Sequence, residues 1–241
     1  MKKLIYLLCL LCPAFPSFAD EYNSISLFSY SGYLTTPTAY ITDGRLGLHY
    51  SYVPKYVAPF DKNLSDNWIF SASLGLLPFM ECYLSVYVAP QVNISKQIYN
   101  YGADKTRSAG VKIRIIDEGK RLPSFAVGIY DPEFKKMGAN FSANTVSSLF
   151  IVSSKRFQND NISLSLGYGF PELLGDYARL KGIFGGLAIS FRKNMWLISD
   201  YDAEVWSVGV NSRWKGFDLL IATIHGYGPA FRIGYNFTLL D

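Results

Sequence analysis

The feature that most constrains the fold of this chain is a repeated alternation of bulky apolar residues with small or polar ones. Between Leu46 and Tyr52 the bulky residues occupy every second position, and similar segments of about nine to twelve residues follow from Arg45 onward. Because successive side chains of a strand point to opposite faces, this pattern predicts strands with one apolar and one wetter face. Clusters of Gly, Pro, Asn and Asp separate the segments, as expected of turns, so the chain is predicted to be all-β.

About twelve strands are predicted, an even number with the lengths that cross an outer membrane when tilted. They cover residues 46–52, 68–74, 80–88, 109–115, 125–129, 146–155, 162–170, 182–192, 195–201, 205–213, 217–224 and 230–239. The last is the most regular: Phe231, Ile233 and Tyr235 alternate with Arg232 and Gly234. An apolar exterior and a polar interior are what a membrane barrel requires.

The beginning of the chain has the pattern of a secretory signal. Lys2 and Lys3 are followed by an apolar stretch at residues 4–11 and by the small-x-small site Ser17-Phe18-Ala19. We therefore predict a signal peptide at 1–19. An N-terminal segment at 20–44 would follow, serving as a strand entry or a plug, and then an outer-membrane barrel at 45–241.

Alternation alone is compatible with a membrane barrel and with a soluble sandwich. The predicted signal and the 39 aromatic residues (17 Phe, 18 Tyr, 4 Trp), enough for two interface girdles, favour lipid. Cys82 is the one cysteine outside the predicted signal, so neither an internal disulfide nor a cysteine metal cluster is expected. No segment offers the roughly 20 uncharged apolar residues of a transmembrane helix. The predicted fold is a closed antiparallel transmembrane β-barrel of about 12 strands in the cell outer membrane.

Charged and aromatic residues on the predicted polar faces are candidates for the barrel lumen. In the segment 80–88, Glu81, Tyr83 and Tyr87 share the face opposite Cys82. The charges carry both signs, so they either pair across the interior or line a polar path for a sugar chain, with the tyrosines as stacking surfaces. The candidate lumen residues are Glu81, Tyr83, Tyr87, Lys112, Arg114, Arg213 and Arg232, with Lys155 as a further charged position.

The sequence offers little catalytic machinery. His49 and His225 are its two imidazoles, and the closure of a barrel would place the first and last strands side by side, with Asp43 or Asp218 available to orient one of them. A lumen residue and a loop residue are the simpler interpretation. No catalytic residue is predicted, and the chain is not expected to be an enzyme.

Metal, cofactor and nucleic-acid sites are not predicted either. Asp200, Asp202 and Glu204 could collect a cation, but an acidic hairpin turn is usually only solvated. The glycines around Tyr168 are not followed by a helix that would form a phosphate site. Without Lys2 and Lys3 the net charge falls from +4 to +2 (21 Lys and Arg against 19 Asp and Glu), and the basic residues are scattered.

Several motifs together resemble the YjbH family of outer-membrane proteins tied to exopolysaccharide production. The resemblance begins with the Gly-Tyr-Leu-Thr-Thr-Pro-Thr-Ala run at 32–39 and the Asp-Gly-Arg-Leu run at 43–46, and continues at 104–116, 122–131 and 199–202. Further matches lie at 153–157, 164–169 and 208–210. The family-like positions are Gly32, Pro37, Thr38, Ala39, Asp43, Gly44, Asp131 and Asp200.

The resemblance implies a short single-barrel form with two departures from the family. The Gly-Thr-Gly expected after Asp131 is replaced by residues 132–136, and the sequence stops where longer members continue. The family implies a non-catalytic barrel that assists production or export of an extracellular polysaccharide. Its expected partners are outer-membrane lipid, polysaccharide, and periplasmic or lipoprotein components of an exopolysaccharide system. A general porin for small solutes is the alternative, and an outer-membrane hydrolase the third hypothesis.

Overall fold

The computed structural model describes residues 23–54, 66–89, 104–131, 147–158, 160–171, 179–226 and 228–239, and the predicted signal peptide lies outside these ranges. Twelve strands are present in the described residues, which confirms the predicted number. They are β1 Arg45–Val53, β2 Asn67–Leu77, β3 Met80–Ala89, β4 Asp104–Ile116, β5 Ser124–Tyr130, β6 Ser148–Phe157, β7 Ile162–Gly169, β8 Gly182–Arg192, β9 Met195–Tyr201, β10 Trp206–Trp214, β11 Phe217–Ile224 and β12 Pro229–Thr238.

The strands form one closed antiparallel barrel in chain order, and β12 returns to pair with β1. Leu48 lies opposite Tyr235 and His49 opposite Gly234 at this closing seam. Closure leaves no strand edge unpaired, which is the condition for a sheet to cross lipid. The predicted fold class is confirmed.

Strand β4 is longer than its sequence pattern predicts. The alternation of apolar residues begins at Ala109, whereas the strand begins at Asp104. The polar stretch at 104–108 pairs along β3 from Ala89 to Ser85, so backbone pairing extends the strand beyond its apolar part. The remaining predicted boundaries differ from the structure by at most two residues, except that β2 extends to Leu77, three residues beyond its predicted end.

The outer face of the barrel is apolar and carries large aromatic side chains near both ends. Tyr50 stacks on Trp68 with ring centroids 5.4 Å apart, and Phe217 packs edge-on against Tyr235 at 4.9 Å. Near one end lie Tyr52, Trp68, Tyr168, Tyr201, Trp206 and Phe231, and near the other lie Phe79, Phe157, Phe191, Trp214, Phe217 and Phe237. Two aromatic girdles around an apolar band are typical of barrels in lipid.

Among the residues that the structure describes, no helix is long and apolar enough to span a lipid bilayer.

The two ends of the barrel differ in their connections. At the short-turn end, where β1 begins, the strands are joined by residues 78–79, 117–123, 158–161, 193–194 and 215–216. At the opposite, long-loop end, the connections at 54–66, 90–103, 131–147 and 170–181 are longer. This asymmetry gives the barrel a direction.

Candidate functional site

The residues that precede β1 lie inside the barrel. We call residues 23–44 the inner segment. Every side chain from Ser24 to Thr42 is buried. Leu27, Phe28, Tyr30, Tyr33 and Leu34 pack in one cluster with wall residues that point inward. The bore is therefore filled by the protein's own chain along this segment.

Two tight loops give the inner segment its shape. Ile25 pairs with Ser31, and Gly32 pairs with Pro37. A Cβ atom on Gly32 would lie 2.1 Å from the carbonyl oxygen of Thr36, so this position requires glycine. Pro37 fixes its own φ and favours an extended Thr36, which turns the chain back on itself.

Asp200, at the end of β9, holds the second loop. Its Oδ2 accepts backbone N–H bonds from Leu34 at 3.1 Å, Thr35 at 2.7 Å and Thr36 at 2.9 Å. The hydroxyls of Thr35 and Thr36 donate to the same oxygen at 3.2 and 3.0 Å. The Asp200 side chain is completely buried. One carboxylate oxygen thus satisfies three consecutive backbone donors that would otherwise be buried without partners.

Glu81 and Lys112 hold the first loop and the exit of the inner segment. Glu81 Oε1 accepts the N–H of Ser31 at 2.9 Å, and Oε2 accepts the N–H and hydroxyl of Thr42 at 2.9 and 3.0 Å. Lys112 Nζ donates to the Ser31 carbonyl at 3.1 Å and lies 3.8 Å from Glu81. Both side chains are fully buried, and each compensates part of the other's charge.

A third pair of charges binds the start of the inner segment. Arg232 on β12 donates to Asp218 on β11 at 2.6 Å and to the Ser24 hydroxyl at 3.0 Å. Ser24 in turn donates to Asp218 at 3.2 Å. Asn211 also donates to the Asp218 carboxylate. This network ties β10, β11 and β12 to Ser24.

Arg179 contacts the inner segment from the long-loop end. Its guanidinium pairs with Asp202 at 3.1 Å and lies 3.3 Å from the centre of the Phe28 ring. The same Nη2 donates to the Thr35 carbonyl at 3.4 Å. The inner segment therefore spans most of the bore, from the short turns to the level of this arginine.

Aromatic and imidazole rings that lie over glycines line the inner wall. Directly opposite residues in neighbouring strands supply them: Tyr83 over Gly110, Phe150 over Gly128, Phe184 over Gly167 and His49 over Gly234.

At Gly186 the inner segment supplies the ring instead. A Cβ atom there would lie 2.3 Å from the Tyr33 ring, and the residue opposite Gly186 is Asp200. The Tyr33 hydroxyl lies 2.9 Å from the Ser163 hydroxyl.

The structure places five of the seven candidate lumen residues on the buried inner face: Glu81, Tyr83, Tyr87, Lys112 and Arg232. The other two lie nearer the short-turn end and are less buried. Arg114 donates to the Pro78 carbonyl at 2.6 Å and pairs with Asp117. Arg213 lies 3.8 Å from Asp218 and over the Trp196 ring. Cys82, on the opposite face of β3, is exposed.

The family-like positions cluster around the inner segment. Thr38 donates to the Ser31 carbonyl at 3.2 Å, and Ala39 donates to the Ser154 hydroxyl at 2.7 Å. Asp43 bridges to Gly75 on β2, and Gly44 has a φ of 63° at the start of β1. Gly32, Pro37 and Asp200 shape and hold the second loop, as described above.

Asp131 is separate from this cluster. It follows β5 at the long-loop end with a φ of 50°. Its N–H donates to the Ala109 carbonyl at 2.7 Å, and its carbonyl accepts the Ser147 hydroxyl. These contacts give Asp131 a place in the corner between β5 and β6.

One interpretation of the sequence changes with the structure. The acidic turn is not merely solvated, because Asp200 is fully buried and Asp202 is 7% exposed. The alternation along β9 already predicts that Asp200 is buried, because Asp200 shares the inward-facing side of the strand with Trp196 and Ile198. Arg179 and Tyr33 lie outside the alternating segments, so the strand pattern does not identify them.

The two histidines do not form one site. His49 is buried opposite Gly234, whereas His225 is exposed in the turn after β11. Asp218 lies level with Gly234, and Ile224 is six positions further along β11, so roughly 20 Å of strand lies between the two imidazole positions. Among the described residues, no group of three or more His, Cys, Asp or Glu side chains is placed to hold a metal ion.

Comparisons with known proteins identify a family and distant structural similarities. The family model described as "Exopolysaccharide biosynthesis protein YbjH" (YjbH) matches residues 24–218. A comparison with curated proteins finds no match.

Several solved outer-membrane barrels are similar to the chain. A KdgM porin is 11% identical with a TM-score of 0.46, over 79% of this chain and 98% of that one. A KdgM porin in complex with disordered oligogalacturonate is 11% identical with a TM-score of 0.45, over 80% and 98%. Outer membrane phospholipase A from Escherichia coli is 9% identical with a TM-score of 0.39, over 82% and 96%.

Proposed function

We propose, because this chain belongs to the YjbH family of exopolysaccharide biosynthesis proteins, that it is a non-catalytic barrel of the outer membrane that assists export of an extracellular polysaccharide. The apolar outer face with its two aromatic girdles supports a position in lipid. The signal at residues 1–19 provides the route of export across the inner membrane and is then removed.

The observation that carries the proposal is the filled bore. Three inward-facing carboxylates, Asp200, Glu81 and Asp218, hold the inner segment along its length. A barrel filled in this way is closed at rest, unlike a general porin. We propose that residues 20–44 act as a plug, and that the plug leaves or shifts when the polysaccharide pathway is active.

Removal of the plug would uncover a surface suited to a sugar chain. Tyr83, Tyr87 and Tyr130 line one side of the bore, and the Tyr130 hydroxyl forms hydrogen bonds with the hydroxyls of Ser85 and Tyr87. Aromatic faces stack on sugar rings, and hydroxyl and charged groups bind sugar hydroxyls. The candidate lumen residues described above are proposed to form this path.

The short-turn end is the proposed place for partners. Outer-membrane barrels have short periplasmic turns, so this end faces the periplasm. A polar cavity of about 340 Å³ opens there beside both ends of the inner segment, between Asn23, Tyr40, Asp43, Arg114 and Glu118. A periplasmic or lipoprotein component that binds here contacts the plug directly.

The non-catalytic role is supported by the arrangement of the candidate groups. The Asp218 carboxylate is bound by Arg232, Asn211 and Ser24, and His225 lies in a separate turn. A general base needs to lie within hydrogen-bond reach of its substrate and of the group that orients it. We therefore expect His49→Ala and His225→Ala to leave polysaccharide production unchanged.

The proposal is tested by deleting the gene and measuring cell-surface polysaccharide. We expect the polysaccharide to fall to background and to return with the intact gene, and with either histidine variant. Purified wild-type protein in planar bilayers should show little conductance. Steady wild-type conductance together with unchanged polysaccharide on deletion would instead establish the porin.

A further inference from the structure

A groove runs along the lipid-facing surface of the barrel where β1 to β4 lie side by side. Its volume is about 480 Å³. The outward-facing residues that line it are Leu48, Phe70, Ala72, Leu84, Val86 and Arg107. The inward-facing wall residues beneath it, among them Ser71 and Ser85, form its floor. The groove lies outside the bore and plays no part in the proposed function.

The cross-strand register explains the shape of the groove. In one outward row Leu48, Ala72 and Leu84 lie side by side on β1, β2 and β3. Leu48 is 48% exposed and Leu84 is 63% exposed, so both stand out from the wall, and the small Ala72 leaves a channel between them. The walls of this channel are hydrocarbon, which suits an acyl chain.

Arg107 lies at the end of the groove that is nearer the long loops. The next outward row, nearer the long-loop end, places Phe70, Val86 and Arg107 side by side. Trp68, a member of the aromatic girdle at that end, lies on β2 two residues nearer the long loops than Phe70. This level corresponds to the boundary between hydrocarbon and headgroups.

The charge of Arg107 is exposed on the outer face. No carboxylate of the described residues forms an ion pair with it. An arginine at the headgroup level attracts anionic lipid, and its guanidinium forms strong paired hydrogen bonds with phosphate oxygens. Charge and groove together therefore match the two parts of one molecule, a phosphate headgroup and an acyl chain.

We propose that this groove is a binding site for a membrane lipid with an anionic phosphate headgroup, whose acyl chain lies between Leu48 and Leu84 and whose phosphate is held by Arg107. The site is on the leaflet at the long-loop end. It adds a specific lipid contact to the apolar outer face of the barrel.

The test uses tryptophan fluorescence of the full chain in lipid vesicles. In a W206F/W214F background, the remaining described tryptophans are Trp68, beside the groove, and Trp196, which is buried inside the barrel. Phosphatidylcholine vesicles contain a small fraction of phosphatidic acid, and bromine atoms are placed on the acyl chains of one lipid or the other. Bromine quenches a nearby tryptophan, so quenching reports which lipid occupies the groove.

We expect brominated phosphatidic acid to bind at the groove about fivefold more strongly than phosphatidylcholine, as one basic group at the headgroup level should give. Arg107→Gln should reduce this preference to about one. Ala72→Leu, which fills the channel, should remove the enriched binding of brominated phosphatidic acid near Trp68.

Two matched variants control for general effects on the barrel. Arg192→Gln removes an exposed arginine at the short-turn end, and Ser199→Leu adds bulk to the lipid face of β9. Both should keep the fivefold preference. Heat-dependent gel mobility confirms that each variant forms a closed barrel. Equal quenching by the two lipids in the parent protein, or a preference that survives Arg107→Gln, would overturn the proposal.

Discussion

The outer and inner faces of the same strands are built on different principles. On β9, Leu197 and Ser199 face outward, and Leu197 is 48% exposed, whereas Trp196, Ile198 and Asp200 are fully buried on the inner face. The outer face meets lipid, which any apolar side chain of suitable size satisfies. The inner face meets the inner segment, where Asp200 is matched to three particular backbone groups. Substitutions should therefore cost far more inside than outside.

The largest difference is expected between Asp200 and its neighbour Ser199. Asp200→Ala leaves the N–H groups of residues 34–36 without an acceptor. At about 1.5 kcal/mol for each of these three charge-assisted hydrogen bonds, the plugged state should lose roughly 4.5 kcal/mol. We expect the variant to open in planar bilayers and to conduct, while Ser199→Ala remains closed like the parent.

Conductance that stays at the parent level in Asp200→Ala, with a normal heat-dependent gel shift, would show that Asp200 does not control the closed state. The remaining contacts at Glu81 and Asp218 would then be sufficient to retain the inner segment.

A second test breaks the buried pair of Glu81 and Lys112. Lys112→Met leaves a buried carboxylate without its compensating charge, which should lower the free energy of unfolding by about 3 kcal/mol. Adding Glu81→Gln to Lys112→Met should recover part of this loss, because no uncompensated charge remains. Urea unfolding in detergent micelles measures both values, and a double variant less stable than Lys112→Met alone would contradict the explanation.

Gly186 tests whether the inner segment needs space in the wall. Gly186→Val places a side chain where the Tyr33 ring lies, and overpacking of this kind costs about 2 kcal/mol. Tyr33→Ala in the same chain should restore part of the lost stability by removing the ring. If Tyr33→Ala instead lowers the thermal midpoint of Gly186→Val further, the collision lies elsewhere.

The smallest effect is expected on the outer face. Leu197→Ala exposes its site to lipid tails that are as apolar as leucine, so the free energy of unfolding should change by less than about 1 kcal/mol. The same measurement on Ile198→Ala, one residue away on the inner face, should give about 3 kcal/mol. Similar losses for the two variants would mean that the faces are not as different as the structure indicates.

The wall of the barrel could be predicted from the sequence, because alternation is a local property that each strand carries by itself. The regular pattern of β12 and the inward phase of Glu81 and Lys112 follow from it directly. The extension of β4 to Asp104 could not be read in this way, because pairing with β3 rather than side-chain pattern determines that boundary.

The contents of the bore were less accessible to the same reasoning. The sequence of the inner segment has no strand-like alternation. Its two short loops satisfy their backbone groups with hydrogen bonds to the barrel wall, which does not require a periodic pattern. The bonds from Thr35 and Thr36 to Asp200 join positions more than 160 residues apart. The alternation of β9 predicts that Asp200 faces inward, and a buried carboxylate needs hydrogen-bond donors. Only the folded chain shows that a backbone loop supplies them.

Both ends of the inner segment lie at the same mouth of the barrel. The Asn23 amide donates to the Ile41 carbonyl at 2.7 Å, and Asp43 leads from there into β1. The segment is thus a loop of chain with its two ends together at the mouth and its bend inside the bore. It can enter or be withdrawn as a loop, without passing a free terminus through the barrel. Assembly of the wall and insertion of the loop can therefore take place in either order.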